Sequence, residues 1–137
     1  EDPTDLKAVT LAAEQAFKMA KLTPKDVDVA ELHDAFTILE IAESEHAGFF
    51  KKGEGGKAVE KGETALGGKI PINMSGGLKA RGHPVGATGV AQVVDIVFQL
   101  RHELDKERQV PKAKVGFTLN FGGFGNNVVA FVLRRAE

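Results

Sequence analysis

The sequence predicts an α/β protein in which helices cover a mixed sheet, and three observations carry that reading. A helical apolar period occupies the start of the chain, and β-branched runs recur near its beginning and its end. The glycines gather in one central stretch, with 12 of the 16 lying between Gly48 and Gly89. The order that follows is helix, strand, helix, long loop, helix, strand, strand, with no internal repeat and no low-complexity tract.

Leu6, Val9, Ala13, Ala16, Phe17 and Ala20 recur at three- and four-residue steps and predict an amphipathic helix over roughly the first twenty residues, with Thr4 or Asp5 as its N-cap. Thr23-Pro24-Lys25-Asp26 reads as a turn or a short helical start, because Pro presets φ for a first turn. Val27, Val29 and Glu31 then alternate with Asp28, Ala30 and Leu32, which predicts a strand ending at His33-Asp34. Phe36, Leu39, Ile41 and Ala42 begin the next helix, so His33 is expected at a strand-to-helix junction.

Residues 48–77 are rich in Gly and Lys with little periodicity, and are read as a loop insertion in a single domain covering 1–137. Within it, Ile70-Pro71-Ile72-Asn73 is the expected short extended piece. Gly82-His83-Pro84-Val85-Gly86 opens a helix whose Val90, Val93, Val94, Val97, Phe98 and Leu100 leave few polar faces, so it is expected to be almost wholly buried up to His102. Asp105-Lys106-Glu107-Arg108 is expected to be a solvated turn. Val115–Asn120 and Val128–Leu133 predict two strands joined by a Gly- and Asn-rich connection.

Composition narrows the function classes. The chain has 137 residues, 42% hydrophobic, which suffices for one packed core. Its 18 Lys plus Arg against 19 Asp plus Glu leave a charge of -1, so neither nucleic acid nor an anionic membrane surface is an expected partner. No run of 18 apolar residues occurs, and the acidic start Glu1-Asp2-Pro3-Thr4-Asp5 is unlike an export signal, so a cytoplasmic protein is expected. There is no Cys, which excludes disulfides, Cys-ligated metal and a Cys nucleophile supplied by this chain.

Three junctions combine polar side chains with glycines or a helix start: His33-Asp34-Ala35-Phe36, Gly82-His83-Pro84 and Asn120-Phe121-Gly122-Gly123. Sites form at such strand ends and helix N-termini because backbone N–H groups are free there to bind an oxyanion. Around His83, the run Ser75-Gly76-Gly77 with Gly82, Gly86 and Gly89 clears side chains from both sides of the imidazole, so a substrate can approach it. His83 is therefore a candidate catalytic residue, and His33, at the first of the three junctions, is a second candidate site residue. Asn120, Gly122, Gly123, Ser75, Gly76, Gly77 and Gly82 are the candidate oxyanion- or substrate-binding residues. His46 and His102 read as structural or solvated. The four His residues are dispersed and no metal site is expected, and Gly53-Glu54-Gly55-Gly56-Lys57 lacks the spacing of a phosphate loop and reads as a flexible loop.

The runs Val29–Phe36, Lys52–Gly56 and, most specifically, Asn73-Met74-Ser75-Gly76-Gly77-Leu78-Lys79-Ala80-Arg81-Gly82-His83-Pro84-Val85-Gly86-Ala87-Thr88-Gly89 resemble the C-terminal half of a thiolase, of the archaeal and sterol-carrier-protein type. The resemblance implies a five-stranded mixed sheet covered by helices, in a fold that pairs two such halves. It implies acyl-CoA as substrate, with coenzyme A entering as part of that substrate and no further cofactor. It also implies an N-terminal half carrying the nucleophilic Cys as partner, and a homo- or hetero-oligomer. His83 matches the histidine that activates the nucleophile and contributes to an oxyanion hole, and His33 matches the position that holds a water or donates a hydrogen bond there.

Asn120 stands where the family has a Cys that moves protons at the substrate α-carbon, and Ala35 stands where some members place such a Cys instead. The expected function is thus half of a thiolase-like acyltransferase. The alternatives left open are a non-catalytic acyl-CoA-binding or assembly module, and a thiolase-related aldolase or hydrolase subunit.

Overall fold

The computed structural model describes residues 5–123 and 125–136, so Thr4 as a cap and Phe124 in the last connection lie outside the described residues. Helix α1 spans Lys7–Ala20 and buries Val9, Ala13 and Phe17, one residue per turn on one face, as its period requires. Its N-cap position is Leu6 and carries no side-chain cap. His46 of helix α2, Thr37–His46, serves this helix end, accepting the Leu6 N–H at 3.3 Å and bonding the Thr10 hydroxyl at 3.0 Å. The Pro24–Asp26 segment is a single 3₁₀ turn, closed by Asp26 on the Thr23 backbone and hydroxyl.

Strand β1, Val29–Glu31, pairs in parallel with β2, Val115–Gly122, and β2 pairs antiparallel with β3, Asn127–Arg134. The sheet is mixed, as expected, but it has three strands among the described residues and not five. The Ile70–Asn73 segment makes only a single parallel bridge, Ile72 to Ala30, because Pro71 offers a carbonyl to the Ala30 N–H but no N–H of its own. No fifth run in the described residues reaches a sheet edge.

Alternation divides the sheet's two faces. Ala30, Leu32, Val115, Phe117 and Leu119 join the cluster under α1, where the Phe17 and Phe117 rings stack at 5.1 Å. Val29 packs on the other face with Ile96 and Leu100 of helix α5, Thr88–Arg101. Glu31, His33, Thr118 and Asn120 share parity with Val29 and Gly116 and so belong to the α5 side.

Part of the predicted 48–77 loop is ordered as helix: α3 spans Gly55–Glu60, taking in Gly55-Gly56-Lys57 of the segment read as a flexible loop. The very short α4, Gly77–Arg81, precedes the His83 turn. Its N-terminus is capped from a distance, since Asp34 accepts the Leu78 and Lys79 N–H groups at 2.6 and 3.4 Å. Gly77 lies against that carboxylate at φ +62, where a Cβ would collide with Asp34.

Helix α5 reverses the expectation of near-complete burial. Its inward face is largely polar, with Thr88, Gln92 and Gln99 buried beside Ile96 and Leu100, while Val90, Val94 and Phe98 stand 66%, 43% and 39% exposed. The exposed trio recurs every four residues and forms one stripe, and Val129 and Phe131 of β3 are exposed as well. No helix among the described residues is long and apolar enough to cross a membrane.

Two outcomes follow from this packing. Gly77→Ala is expected to cost about 1–3 kcal/mol through the forced positive φ and the Asp34 clash, read as a lowered melting temperature; an unchanged melting temperature would remove Asp34 as the α4 cap. The uncovered α5 stripe should make the chain self-associate with concentration in sedimentation velocity, and Val94→Lys with Phe98→Ser should suppress that association. A monodisperse wild-type monomer at tens of micromolar would contradict it.

Candidate functional site

His33 and Asn120 meet because β1 and β2 run parallel in register. Glu31 is opposite Thr118, so two residues further on each chain places His33 beside Asn120 at the carboxyl ends of both strands. The His33 Nδ1 and Asn120 Oδ1 atoms are 2.7 Å apart. His83 arrives from the turn between α4 and α5, and its ring stands edge-on to His33 with centroids 4.8 Å apart. Phe121 stacks on His33 at 5.9 Å. A cavity of about 590 Å³ opens over this group, walled by His33, His83, Asn120, Gly122 and Gly123 on the polar side and by Ala35, Phe36, Leu39, Leu78, Val85 and Phe121 on the apolar side, with Lys79 also at its wall.

Of the predicted site residues, His33, His83, Asn120, Gly122 and Gly123 therefore share one cavity. Ser75, Gly76, Gly77 and Gly82 do not line it. Gly76 and Gly82 bracket α4, Gly77 packs on Asp34, and Ser75 turns to buried Glu31, giving it a backbone N–H at 3.1 Å and its hydroxyl at 2.7 Å. Of the other two histidines, His46 ties α1 to α2, while His102 adopts a left-handed φ after α5 and bonds the Ala113 carbonyl at 3.1 Å.

The imidazoles are held by residues that sequence reading passed over. Thr88 Oγ1 lies 2.6 Å from His83 Nδ1 and 3.2 Å from the Pro84 carbonyl, so with the hydroxyl proton directed to that carbonyl the ring supplies an Nδ1–H. One turn along α5, Gln92 donates Nε2 to the Leu119 carbonyl at 2.9 Å and reaches the Glu31 carbonyl at 3.5 Å, tying together the two strand ends that carry Asn120 and His33. Glu43 of α2 accepts the His33 backbone N–H at 2.7 Å. Gly89 makes room for Asn120, whose amide a Cβ at that position would meet at 2.6 Å. Thr88 and Glu31 were discoverable by spacing, five residues beyond His83 and two before His33. Glu43 and Gln92 carried no such signal.

Burial dominates the electrostatics. It pushes the His33 pKa below the ordinary imidazole value, with the neighbouring His83 acting in the same direction against the Asn120 hydrogen bond. His33 is therefore neutral at neutral pH. Desolvation also raises the Glu43 carboxyl well above its usual range, and raises Glu31 to about 7 despite its two bonds from Ser75. His83 is exposed in this chain, on the side where the cavity opens. Among the described residues, no three His, Asp or Glu side chains are grouped as metal ligands would be. The arrangement offers two imidazoles and an exposed glycine backbone to a small polar group carried on an apolar chain.

Known proteins share this chain's sequence and shape. Acetyl-CoA acetyltransferase from Methanothermobacter thermautotrophicus is 53% identical over 134 residues, a match covering 98% of this chain and 35% of that protein. The protein of the same name from Methanocaldococcus jannaschii is 48% identical over 137 residues, covering 97% and 35%. Sterol carrier protein 2 from Bos taurus is 48% identical over 118 residues, covering 86% and 22%. Among solved structures, a chain of the Ltp2-ChsH2(DUF35) aldolase superposes with a TM-score of 0.79 at 24% identity, over 93% of this chain and 31% of that one, which is a likeness of fold. The chain thus spans about a third of the length of the acetyltransferases it matches. Residues 1–135 match the family described as thiolase C-terminal domain-like, and with the resemblance read from the Asn73–Gly89 motif borne out along nearly its whole length, the chain belongs to that family.

Proposed function

We propose that this chain is the C-terminal half of a thiolase-like acyl-CoA acyltransferase whose nucleophilic Cys comes from an N-terminal half. The observation that carries the reading is the edge-to-face His33–His83 pair in one cavity with the Gly122–Gly123 backbone. A purely structural domain has no need of two imidazoles facing a cavity. His83, held as the Nδ1–H tautomer by Thr88, has its Nε2 lone pair free to take a thiol proton. Once protonated, the same nitrogen donates to the developing thioester oxyanion, and the backbone of the Gly122–Gly123 turn shapes a second oxyanion hole. The apolar wall of Phe36, Leu39, Leu78 and Val85 suits the acyl chain, and coenzyme A enters as part of the substrate with no further cofactor. The exposed α5 stripe suits burial against the N-terminal half in a homo- or hetero-oligomeric, cytoplasmic enzyme.

The second reading is a thiolase-related aldolase or hydrolase subunit, or an acyl-CoA-binding module without catalysis. Ala35 and Asn120 favour it, since neither position supplies the thiol that moves the substrate α-proton in the resembled enzymes.

The chain alone should show no acetoacetyl-CoA thiolysis, and activity should appear when an N-terminal half with its Cys is added. Thiolysis by the chain alone would sink the proposal. In the reconstituted complex, His83→Ala removes a general base, costing roughly 10²- to 10⁴-fold, and an oxyanion donor, costing about 10²- to 10³-fold. Turnover should fall by at least the larger of these while the melting temperature stays nearly constant, because the ring is exposed. A lowered melting temperature with turnover per folded molecule intact would instead make His83 a packing residue.

A further inference from the structure

We infer that His33, oriented by Asn120, is a proton-transferring base of the acyl site, taking the place of the absent thiols. The inference rests on the acyl-CoA reading above; it changes the role that the resemblance gave His33 from an oxyanion contact to a base, and makes Asn120, at the position of the family's proton-moving Cys, its positioning partner.

The argument starts from hydrogen-bond valence. A neutral imidazole carries one N–H, and the partner of each nitrogen decides where it sits. Asn120 presents Oδ1, which only accepts, to His33 Nδ1 at 2.7 Å. The proton therefore lies on Nδ1, and Nε2 holds a lone pair. Nε2 makes no hydrogen bond among the described residues, and the ring lines the cavity. A nitrogen with a lone pair repels an oxyanion, so as built His33 cannot complete an oxyanion hole; it can accept a proton.

Its surroundings keep it able to do so. Burial, with His83 and Arg81 acting the same way, favours the neutral ring and outweighs the Asn120 hydrogen bond and the Asp34 carboxylate, which favour the cation. The ring position is not left to chance: Glu43 holds the His33 backbone N–H, Gln92 joins the two strand ends, and Phe121 stacks on the face. Gly89 allows the Asn120 amide its place against α5. An amide that orients an imidazole through Nδ1 is the arrangement by which a third residue serves a histidine base.

The step balances within the site. His33 Nε2 takes a proton from the carbon next to the thioester carbonyl; that C–H bond breaks, its electron pair passes into the enolate, and the negative charge rests on the thioester oxygen. The His33 imidazolium keeps Nδ1–H on Asn120, and the proton returns to carbon when the reaction runs backwards. His83 remains available for the nucleophile, so the two imidazoles divide two proton transfers that a single base would have to perform in turn.

The test reads the tautomer first, in the ¹⁵N-labelled chain itself, from the His33 ring nitrogen shifts. The expected result is Nδ1–H with unprotonated Nε2 in the wild type, moving toward Nε2–H in Asn120→Ala and in Gly89→Ala, which displaces Asn120 without deleting it. A wild-type Nε2–H tautomer means that Asn120 presents its NH₂ instead, and overturns the inference. Acetyl-CoA is then added. Shifts at the His33 and His83 resonances are expected, and exchange of its methyl protons into deuterium oxide should be roughly 10²-fold faster with wild type than with His33→Gln. Equal exchange overturns the base. Unmoved resonances overturn the acyl-CoA reading and the substrate of the base with it, whereas an Nε2–H tautomer with the resonance shifts intact overturns the base alone.

Discussion

The structure turns on the register of two parallel strands. Because Glu31 is opposite Thr118, His33 just past the end of β1 stands beside Asn120 of the longer β2, and the α5 face receives both at hydrogen-bond distance. A slip of β1 by one residue would turn His33 to the α1 face, where Ala30, Leu32, Phe117 and Leu119 form the apolar cluster, and part it from Asn120. Register is held by that cluster and by Gln92, whose amide reaches over both strand ends from the core of α5. The buried amide thus serves the site more than the core. It places the strand that carries one imidazole against the helix whose first turn holds the other through Thr88.

Helix α5 shows the same priority. In a helix serving only its own sheet, the valines and Phe98 would face inward and the glutamines outward. Here Thr88, Gln92 and Gln99 are inside, each with a hydrogen-bond partner, and Val90, Val94 and Phe98 form an outer stripe. Burying Gln99 is tolerable because it answers the Arg108 carbonyl at 2.6 Å and the Val110 N–H at 2.8 Å, which closes the connection behind the helix. The outward stripe has no counterpart within the described residues, and the chain is a third of the length of its acetyltransferase relatives.

Buried carboxylates supply most of the polar framing behind the site. Asp34 caps α4, Glu31 holds Ser75, Glu43 holds the His33 backbone, and Glu40 accepts the Asn73 amide at 2.7 Å. The Glu31, Glu40 and Glu43 carboxyls are raised by desolvation, which lowers the mutual repulsion of four acidic groups packed under one loop. The short α4, too short to be stable by itself, exists because Asp34 accepts its Leu78 and Lys79 N–H groups and Ser75, held by Glu31, accepts its Gly77 N–H. The His83 turn inherits its position from them.

The sequence by itself determined the elements whose cause is local. The period of α1, the alternation leading into His33 and the paired strands around the Asn120 turn were all legible, because apolar spacing and turn residues act over a few neighbours. The Gly-rich motif around His83 was legible for the same reason, and so was the family it marks. Only the tertiary structure decided what depended on distant partners. Pro71 and the short reach of Ile72 left a bridge where the resemblance implied a strand. The direction of α5 was hidden because a Val- and Gln-bearing helix can turn either face inward, and hydrogen bonds to strand ends 27 and 61 residues away chose the polar one. Ser75, Gly76, Gly77 and Gly82 looked like site backbone beside His83, yet Asp34 and Glu31, more than 40 residues away, draw Ser75 and Gly77 into the scaffold. The tautomer of His33 lies at the same limit: it depends on an amide 87 residues along the chain, brought close by strand register.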